Sequence, residues 1–427
     1  MPITAIGFVL VFMVGALYTL KKPMAGILLY FFCFYMHPPG KYWGAFLPEM
    51  RWTLIVAILT LISVFIHEKN KGEWLKFKET KLFIAFVVFV GLQFPFVLNT
   101  DWHLVYFILL VKLLILYFLL ITIINTKEKL ITVIIVNLIG CAYIGFTALQ
   151  THSSGRFERA GLPSINDSNL LAIHVIPILM AGAFLFLSDA LKKKYWLLIP
   201  LAFTGNLIIM SGSRGAIGAL VATGLFLIVF SAKEFRGTLI KWGVVALVAL
   251  SFVSIDLIVN RIESITEAES SEEIDVSAQS RMIIINAQIE MFKDNILMGR
   301  GHRTTLILSP LYIDNKFLTN TSAGALRGSH NITMAMLADH GIIGAGLFFL
   351  IIFGVIKIGL SVSKNKAYDR DLRLIILGLT GGMIGIMAAS QFSNSKVLEI
   401  TIWMIAFIII ANNIAKNLLL AKSLPEK

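Results

Sequence analysis

Long apolar blocks restrict the folds open to this chain more than any other feature. A helix that crosses about 30 Å of hydrocarbon needs about 20 consecutive apolar residues. The blocks lie at residues 3–20, 24–36, 53–67, 82–98, 104–124, 130–149, 170–187, 196–210, 215–232, 242–258, 333–358, 374–392 and 397–415. Because the second block is short, they predict an all-α polytopic membrane protein with about 12–13 transmembrane helices.

Composition supports this class. Hydrophobic residues make up 57% of the chain, charged residues only 15%, and the mean hydropathy is +0.82. Soluble domains carry about 25% charged residues. These values exclude a soluble enzyme, a secreted disulfide scaffold and a disordered chain.

One connection is much longer than the others. Residues 259–332 separate two apolar blocks, and connections of this length are usually lids or binding elements. The part that follows Ser280, an expected N-cap, has apolar side chains at helical spacing. The expected apolar face consists of Met282, Ile285, Ile289 and Phe292. This pattern predicts an amphipathic helix on the membrane face or on top of the bundle.

The long connection also divides the chain. We expect residues 1–258 to form an N-terminal bundle of about ten spans and residues 259–332 to form a large extracytoplasmic loop. Residues 333–427 are expected to form a C-terminal bundle of about three spans with a short cytoplasmic tail.

Lysine explains only part of the net charge of +12. Most lysines fall in alternate connections, which lie on one side of the membrane if the spans strictly alternate. The positive-inside rule makes that side cytoplasmic. The exceptions are Lys41, Lys293, Lys316 and Lys396 in outer loops and Lys112 within the fifth span.

Arginine has the opposite distribution, since nine of twelve arginines fall on the outer side. They are Arg51, Arg156, Arg159, Arg214, Arg261, Arg281, Arg300, Arg303 and Arg327. Topology treats both residue types alike, but guanidinium groups bind phosphate oxygens with paired hydrogen bonds. We therefore expect a phosphorylated ligand at the outer face. Contacts with lipid phosphates or with acidic loop residues are the alternative for any one arginine.

Two outer positions are candidates for chemistry. The connection between spans eight and nine is only residues 211–214, so Arg214 must lie at the membrane boundary. Charges at this position are functional candidates by default. His330 lies at the entrance to the next span, and imidazole suits acid–base chemistry near neutral pH. His302, expected in an exposed glycine-rich turn, and His340, expected to pack beside Asp339, are weaker candidates.

Neither a metal nor a disulfide is predicted. Cys33 and Cys141 both lie inside apolar blocks, and no outer cluster of Asp, Glu or His has metal-ligand spacing. We therefore expect no metal and no cofactor. The first span lacks a basic n-region and a small-residue cleavage site, so we expect it to be retained.

Three segments resemble the O-antigen ligase family of bacterial inner-membrane proteins. They are Ser211-Gly-Ser-Arg214-Gly, Arg281 in the loop helix, and His330-Asn331 followed by Leu337, Gly341 and Gly344. The family comprises O-antigen ligases, polysaccharide polymerases and oligosaccharyltransferases for protein O-glycosylation. The resemblance covers about residues 150–346. Residues 1–70 are only faintly similar to ligases associated with exosortase systems.

The resemblance implies transfer of a glycan from an undecaprenyl-diphosphate lipid to an acceptor hydroxyl at the periplasmic face. Arg214 and Arg281 would bind the diphosphate and His330 would act as base, in a metal-independent, inverting displacement. The other expected substrate-binding residues are Arg300, His302, Arg303, Asn331, Asn166, Asn169, Arg156 and Arg159. The acceptor would be lipid A core, a protein or another glycan.

The sequence departs from the family pattern at two places. Asn166 and Asn169 lie where relatives often have an Asp-Pro-Asn segment, and Ile285 stands where relatives often have tryptophan. By contrast, the turn from Gly299 to Gly301 resembles a Gly-x-Gly of the family.

Other functions stay open at this point. A polysaccharide polymerase of the same family would use the same donor. A transporter or flippase for a lipid-linked or anionic substrate would show charges near the midplane, broken helices and a repeat between halves. Lys112 fits that class, but no repeat is present and the charges concentrate at one face. A structural subunit would leave the arginine distribution unexplained. Membrane lipids are expected partners and nucleic acid is not.

Overall fold

The computed structural model describes residues 1–151, 156–158, 160–245, 273–314 and 326–423. Over these ranges the chain is helical, with one isolated bridge between Leu162 and Ile165. The helices are α1 (Ile3–Lys21), α2 (Pro23–Met36), α3 (Trp52–His67), α4 (Lys78–Leu92), α5 (Thr100–Ile123), α6 (Lys127–Thr151), α7 (Ser168–Leu187), α8 (Leu198–Ser211), α9 (Arg214–Phe230), α10 (233–245), α11 (Glu273–Asp294), α12 (Thr304–Tyr312), α13 (Ile332–Lys364), α14 (Arg370–Ala389) and α15 (Glu399–Ser423).

Eight helices of the described ranges are long and apolar enough to cross a membrane. They are α1, α5, α6, α7, α8 with its preceding turn from Lys194, α13, α14 and α15. The shorter helices α2, α3, α4 and α9 occupy other predicted blocks. The predicted all-α polytopic membrane fold is therefore confirmed. The span predicted at 242–258 lies outside the described residues except for 242–245, and the domain boundaries stay predictions.

Ion pairs join several connections at one end of the bundle. Lys127 Nζ lies 2.8 Å from Asp369 Oδ1 and 3.3 Å from Asp371 Oδ2, and Arg370 Nη1 lies 3.0 Å from Asp189 Oδ2. The connections before α6, after α7 and after α13 therefore share one end. This is the grouping that the lysine pattern predicts. We call this the inner end and the opposite one the outer end.

Small residues bring α14 directly against α7. A Cβ atom at Gly382 would lie 2.8 Å from the Cα atom of Pro177, and one at Gly378 would overlap Phe184. Such close approach is how helices associate within membranes, where van der Waals packing replaces the hydrophobic effect. Since both helices are mostly buried, this contact sets the separation of their outer ends.

The loop helix α11 differs from the prediction in its start and in its buried face. It begins at Glu273, so Ser280 lies inside the helix and is not its N-cap. Its buried apolar residues are Ile284, Ala287 and Met291, which pack with Ile313 and Ala338. Met282 is 57% exposed and Ile289 is 36% exposed. The helix is amphipathic as predicted, but the positions of α12 and α13 decide which side is covered.

Candidate functional site

Three helices begin next to one another at the outer end, and each has a side-chain N-cap. Asp167 caps α7 by accepting the backbone N–H groups of Asn169 and Leu170, each at 2.8 Å. Ser213 caps α9 and Asn331 caps α13. The N-terminus of a helix carries a partial positive charge and free N–H groups, so it attracts anions. This end of the bundle is therefore suited to a negatively charged ligand.

A tight turn places Arg214 among these caps. Helix α8 ends at Ser211, Gly212 adopts a left-handed conformation with φ +58°, and α9 then begins with Arg214 itself. The hydroxyl of Ser213 donates a hydrogen bond to Asn169 Oδ1 at 2.8 Å, which joins α9 to α7. The Arg214 side chain is exposed. Two predicted site residues, Arg214 and Asn169, thus lie on directly bonded segments.

The turn after α14 connects this pair to the start of α13. Asn331 Nδ2 donates to the carbonyl oxygen of Gln391 at 3.1 Å, and the Ile332 N–H donates to the Ser390 carbonyl oxygen at 2.9 Å. A Cβ atom at Gly215 would lie 3.0 Å from the Cβ atom of Phe392. The segments that hold Arg214 and Asn331 therefore contact the same turn.

His330 is an exposed side chain in an electropositive environment. Although the side chain is exposed, neighbouring groups remove part of its solvation, which lowers its pKa below the usual value; the positive charges of Arg281 and Arg327 lower it further, whereas Asp167 raises it. Helices α7 and α11 therefore both influence this imidazole. The neutral form, which accepts a proton, predominates at neutral pH because the pKa lies below about 6.5.

The remaining candidates around this site are placed less directly. Arg156 is exposed next to Phe157, whose N–H donates to the Met210 carbonyl oxygen at the end of α8 at 2.9 Å. Asn166 is exposed and precedes the N-cap of α7. Arg159 lies outside the described residues. The structure thus brings Arg214, Arg281, His330, Asn331 and Asn169 together, and we call these five residues the outer site.

Arg300 and Arg303 lie on a second unit, the glycine-rich turn 299–303. This turn packs against a break in α13 at Gly341, where φ is +60°. The N–H of Gly301 donates to the Asp339 carbonyl oxygen at 2.8 Å. A Cβ atom at Gly341 would overlap the Leu297 carbonyl oxygen. Glycine is therefore required at the break for both its conformation and its size.

A buried ion pair that sequence reasoning missed anchors this turn. Asp339 pairs with Lys396, and their side chains are only 2% and 4% exposed. The Asp339 carboxylate also accepts the N–H groups of Arg303 at 3.2 Å and Thr304 at 2.9 Å. One signal could have found the pair, because Lys396 is one of the few outer lysines. The guanidinium groups of Arg300 and Arg303 stay exposed, that of Arg303 lying 5.0 Å from the Trp102 ring centroid.

The expectation that His302 lies in an exposed turn is wrong. Its ring stacks on Tyr106, with centroids 4.5 Å apart and planes 6° apart, and its backbone N–H donates to His103 Nδ1 at 3.2 Å. Burial lowers the pKa of His302 well below its usual value, and the charge of Lys396 adds to this. The physical reason is that the buried Asp339 carboxylate accepts backbone N–H groups of the turn and so holds it against the bundle. His340 is buried as expected, with Nδ1 2.7 Å from Gln93 Oε1.

No described hydrogen bond or ion pair links the 299–303 turn to His330. The two units are connected through the outer half of α13, which carries Asn331 at its start and Asp339 two turns later. Within the described ranges, His, Cys, Asp and Glu form no group of three or more that could hold a metal ion.

Part of the chain matches the model of a known protein family. Residues 199–349 match the family model described as O-antigen ligase. This segment runs from α8 into α13 and includes Arg214, Arg281, His330 and the 299–303 turn. A comparison with curated proteins finds no match to the chain. The match covers 151 of the 427 residues, and this part of the chain, with the motifs that it contains, is similar to the O-antigen ligase family.

Proposed function

We propose that this protein is a membrane glycosyltransferase of the O-antigen ligase type, which moves a glycan from a polyprenyl-diphosphate lipid to an acceptor hydroxyl. One observation carries the proposal. Within the family-matching segment and beside it, three capped helix N-termini, two exposed arginines and a neutral histidine meet at the outer end of the bundle.

The arginines and helix ends suit the donor. As the bond between the sugar C1 and the phosphate oxygen breaks, negative charge grows on the diphosphate. Arg214 and Arg281 would hold that charge, aided by the N–H groups at the start of α9. Fixed donors aimed at developing charge stabilise the transition state, and one such donor is worth about 3–4 kcal/mol.

His330 suits the acceptor. Its neutral imidazole would take the proton of the acceptor hydroxyl while the hydroxyl oxygen forms the new bond to C1. The electron pair of the broken C1–O bond stays on the lipid diphosphate, which leaves. General-base catalysis of this kind contributes about 10²–10⁴-fold. A single displacement inverts the configuration at C1.

Arg300 and Arg303 are exposed on the anchored turn, and we assign them to the glycan or to the flanking phosphate. Asn331 of the outer site is assigned to substrate positioning, as are Arg156 and Asn166, which border that site. In this scheme the donor lipid enters from the outer leaflet of the inner membrane, and the acceptor approaches from the periplasm.

The decisive experiment uses the full chain in proteoliposomes with a polyprenyl-diphosphate glycan and candidate acceptors. We expect His330→Ala and Arg281→Ala each to lower kcat by at least about 10²-fold. Matched controls are His67→Ala and Arg236→Gln at the inner end, which should keep turnover within twofold of the unchanged chain. Near-normal turnover by both outer-site variants would refute the scheme.

The products separate the related functions. A glycan on a separate acceptor identifies a ligase, whereas a longer glycan that is still on the lipid diphosphate identifies a polymerase. Movement of donor across the membrane without glycosyl transfer would replace the proposal with a transporter.

A further inference from the structure

A cavity of about 310 Å³ lies among α2, α3, α5 and the start of α15. This volume falls within the range of small-ligand sites, about 300–1,000 Å³. Pro39 and Pro163 of two outer connections line one part of the cavity, and Lys112 of α5 lines another. Lys112 is twelve residues into α5, so it lies about 18 Å from the outer end of that helix. The cavity therefore reaches from the outer surface toward the middle of the bundle.

Two cations line this cavity without an acidic partner. Arg51, the residue before α3, and Lys112 are both exposed, and neither forms an ion pair among the described residues. The one carboxylate in the lining, Glu399, accepts a hydrogen bond from the Tyr30 hydroxyl at 2.6 Å. A lysine in the middle of a spanning helix is unfavourable without a ligand or counter-charge. The lining thus carries an excess of positive charge.

The rest of the wall is mostly apolar. It includes Leu54 and Ala57 of α3 and Leu109 and Leu113 of α5. Cations next to an apolar wall match a molecule that has an anionic group joined to a hydrocarbon chain. A soluble anion would leave the leucines uncovered, and a neutral lipid would leave the cations without a partner.

This cavity is separate from the outer site. The segment between α6 and α7 contributes different residues to each, since Pro163 lines the cavity while Asn169, six residues later, bonds to Ser213 beside Arg214. Neither Arg214, Arg281 nor His330 lines the cavity.

We propose that the cavity binds an anionic phospholipid of the outer leaflet, with its phosphate on Arg51 and Lys112 and an acyl chain along Leu54, Leu109 and Leu113. The site goes beyond the proposed glycosyl transfer, because the donor diphosphate is assigned to Arg214 and Arg281. It does not depend on that assignment, since lipid binding is measured without any transfer.

Native mass spectrometry of the delipidated full chain in detergent tests the proposal, with dioleoyl-phosphatidylglycerol as the probe. We expect Arg51→Gln and Lys112→Met each to weaken binding about tenfold, the effect of losing one charged hydrogen bond. Lys112→Arg should retain most of the affinity. The matched control is Lys357→Met, which removes an exposed lysine of α13 that does not line the cavity.

Two further ligands are measured on the unchanged chain, so that the result does not depend on how the variants fold. Dioleoylglycerol lacks the phosphate and glycerol phosphate lacks the chains, and each should bind at least tenfold more weakly than the phospholipid. Equal binding of dioleoylglycerol, or equal binding of glycerol phosphate, would overturn the proposal. So would Arg51→Gln and Lys112→Met variants that bind phosphatidylglycerol as tightly as Lys357→Met does.

Discussion

The ion pair between Asp339 and Lys396 allows a quantitative test of how the 299–303 turn is held. Both side chains are almost completely buried, at 2% and 4% exposed, so neither charge can be solvated when its partner is removed. An unpaired buried charge of this kind costs about 3–5 kcal/mol. We therefore expect Asp339→Asn and Lys396→Met each to lower the free energy of unfolding by at least about 3 kcal/mol.

The double variant Asp339→Asn/Lys396→Met should be less destabilised than the two single changes together. It removes both charges, and the Asn oxygen still accepts one of the two N–H groups that Asp339 accepts, those of Arg303 and Thr304. Loss of the other hydrogen bond costs about 1–3 kcal/mol. The expected coupling energy between the two positions is thus about 4 kcal/mol, which identifies a direct interaction.

The free energy of unfolding can be measured for the full chain by titrating dodecyl sulfate into detergent micelles. Lys357→Met serves as the control and should change stability by no more than about 0.5 kcal/mol, because its side chain is exposed. The reasoning is refuted if the double variant loses as much stability as the two single variants combined. Turnover should fall in both single variants, since Arg300 and Arg303 depend on the turn.

Three other predictions concern the outer site and the break in α13. In a pH series of kcat/KM, Arg281→Gln should move the acidic limb to higher pH, because Arg281 lowers the pKa of His330. Asp167→Asn should move the same limb to lower pH, because Asp167 raises that pKa. Shifts of the two variants in the same direction would contradict the assignment of His330 as base. Gly341→Ala should lower stability by at least about 1–3 kcal/mol in a thermal melt, since φ is +60° and the added methyl group meets the Leu297 carbonyl oxygen. The control Gly346→Ala, in open space on the same helix, should be neutral or stabilising. Equal melting temperatures of the two variants would contradict the requirement for glycine at position 341. Ser213→Ala should lower the free energy of unfolding by about 1 kcal/mol and raise KM for the donor, because it removes the cap of α9 and the hydrogen bond to Asn169. Ser213→Thr keeps the hydroxyl and should behave like the unchanged chain. An unchanged KM in Ser213→Ala would show that the cap does not position Arg214.

The order of the apolar blocks was sufficient to predict the polytopic helical fold. Hydrocarbon length and lysine sidedness act on each segment separately, so they need no knowledge of packing. The grouping of the loops that carry Lys127, Asp189 and Asp369 at one end follows from the same rule. Arg214 was predictable for a similar reason, because a connection of a few residues leaves its position no freedom.

The face of α11 was not predictable in this way. Its apolar residues surround much of the helix, and burial of Ile284 and Ala287, with exposure of Met282, depends on where α12 and α13 lie. The burial of His302 has the same origin. A glycine-rich turn is expected to be exposed to solvent, and only the contact with the carboxylate of Asp339, which is distant in sequence, accounts for the burial of His302.

The sequence by itself was enough to predict the class of the protein, the position of most of its described helices and the family that its motifs resemble, because each of these depends on local composition and spacing. Only the tertiary structure decided that Arg281 and Asp167 act on the same histidine, that Lys396 holds the 299–303 turn through Asp339, and that Arg51 and Lys112 line one cavity. These contacts join residues between about 35 and 165 positions apart, and their geometry is set by how the helices pack rather than by any pattern along the chain.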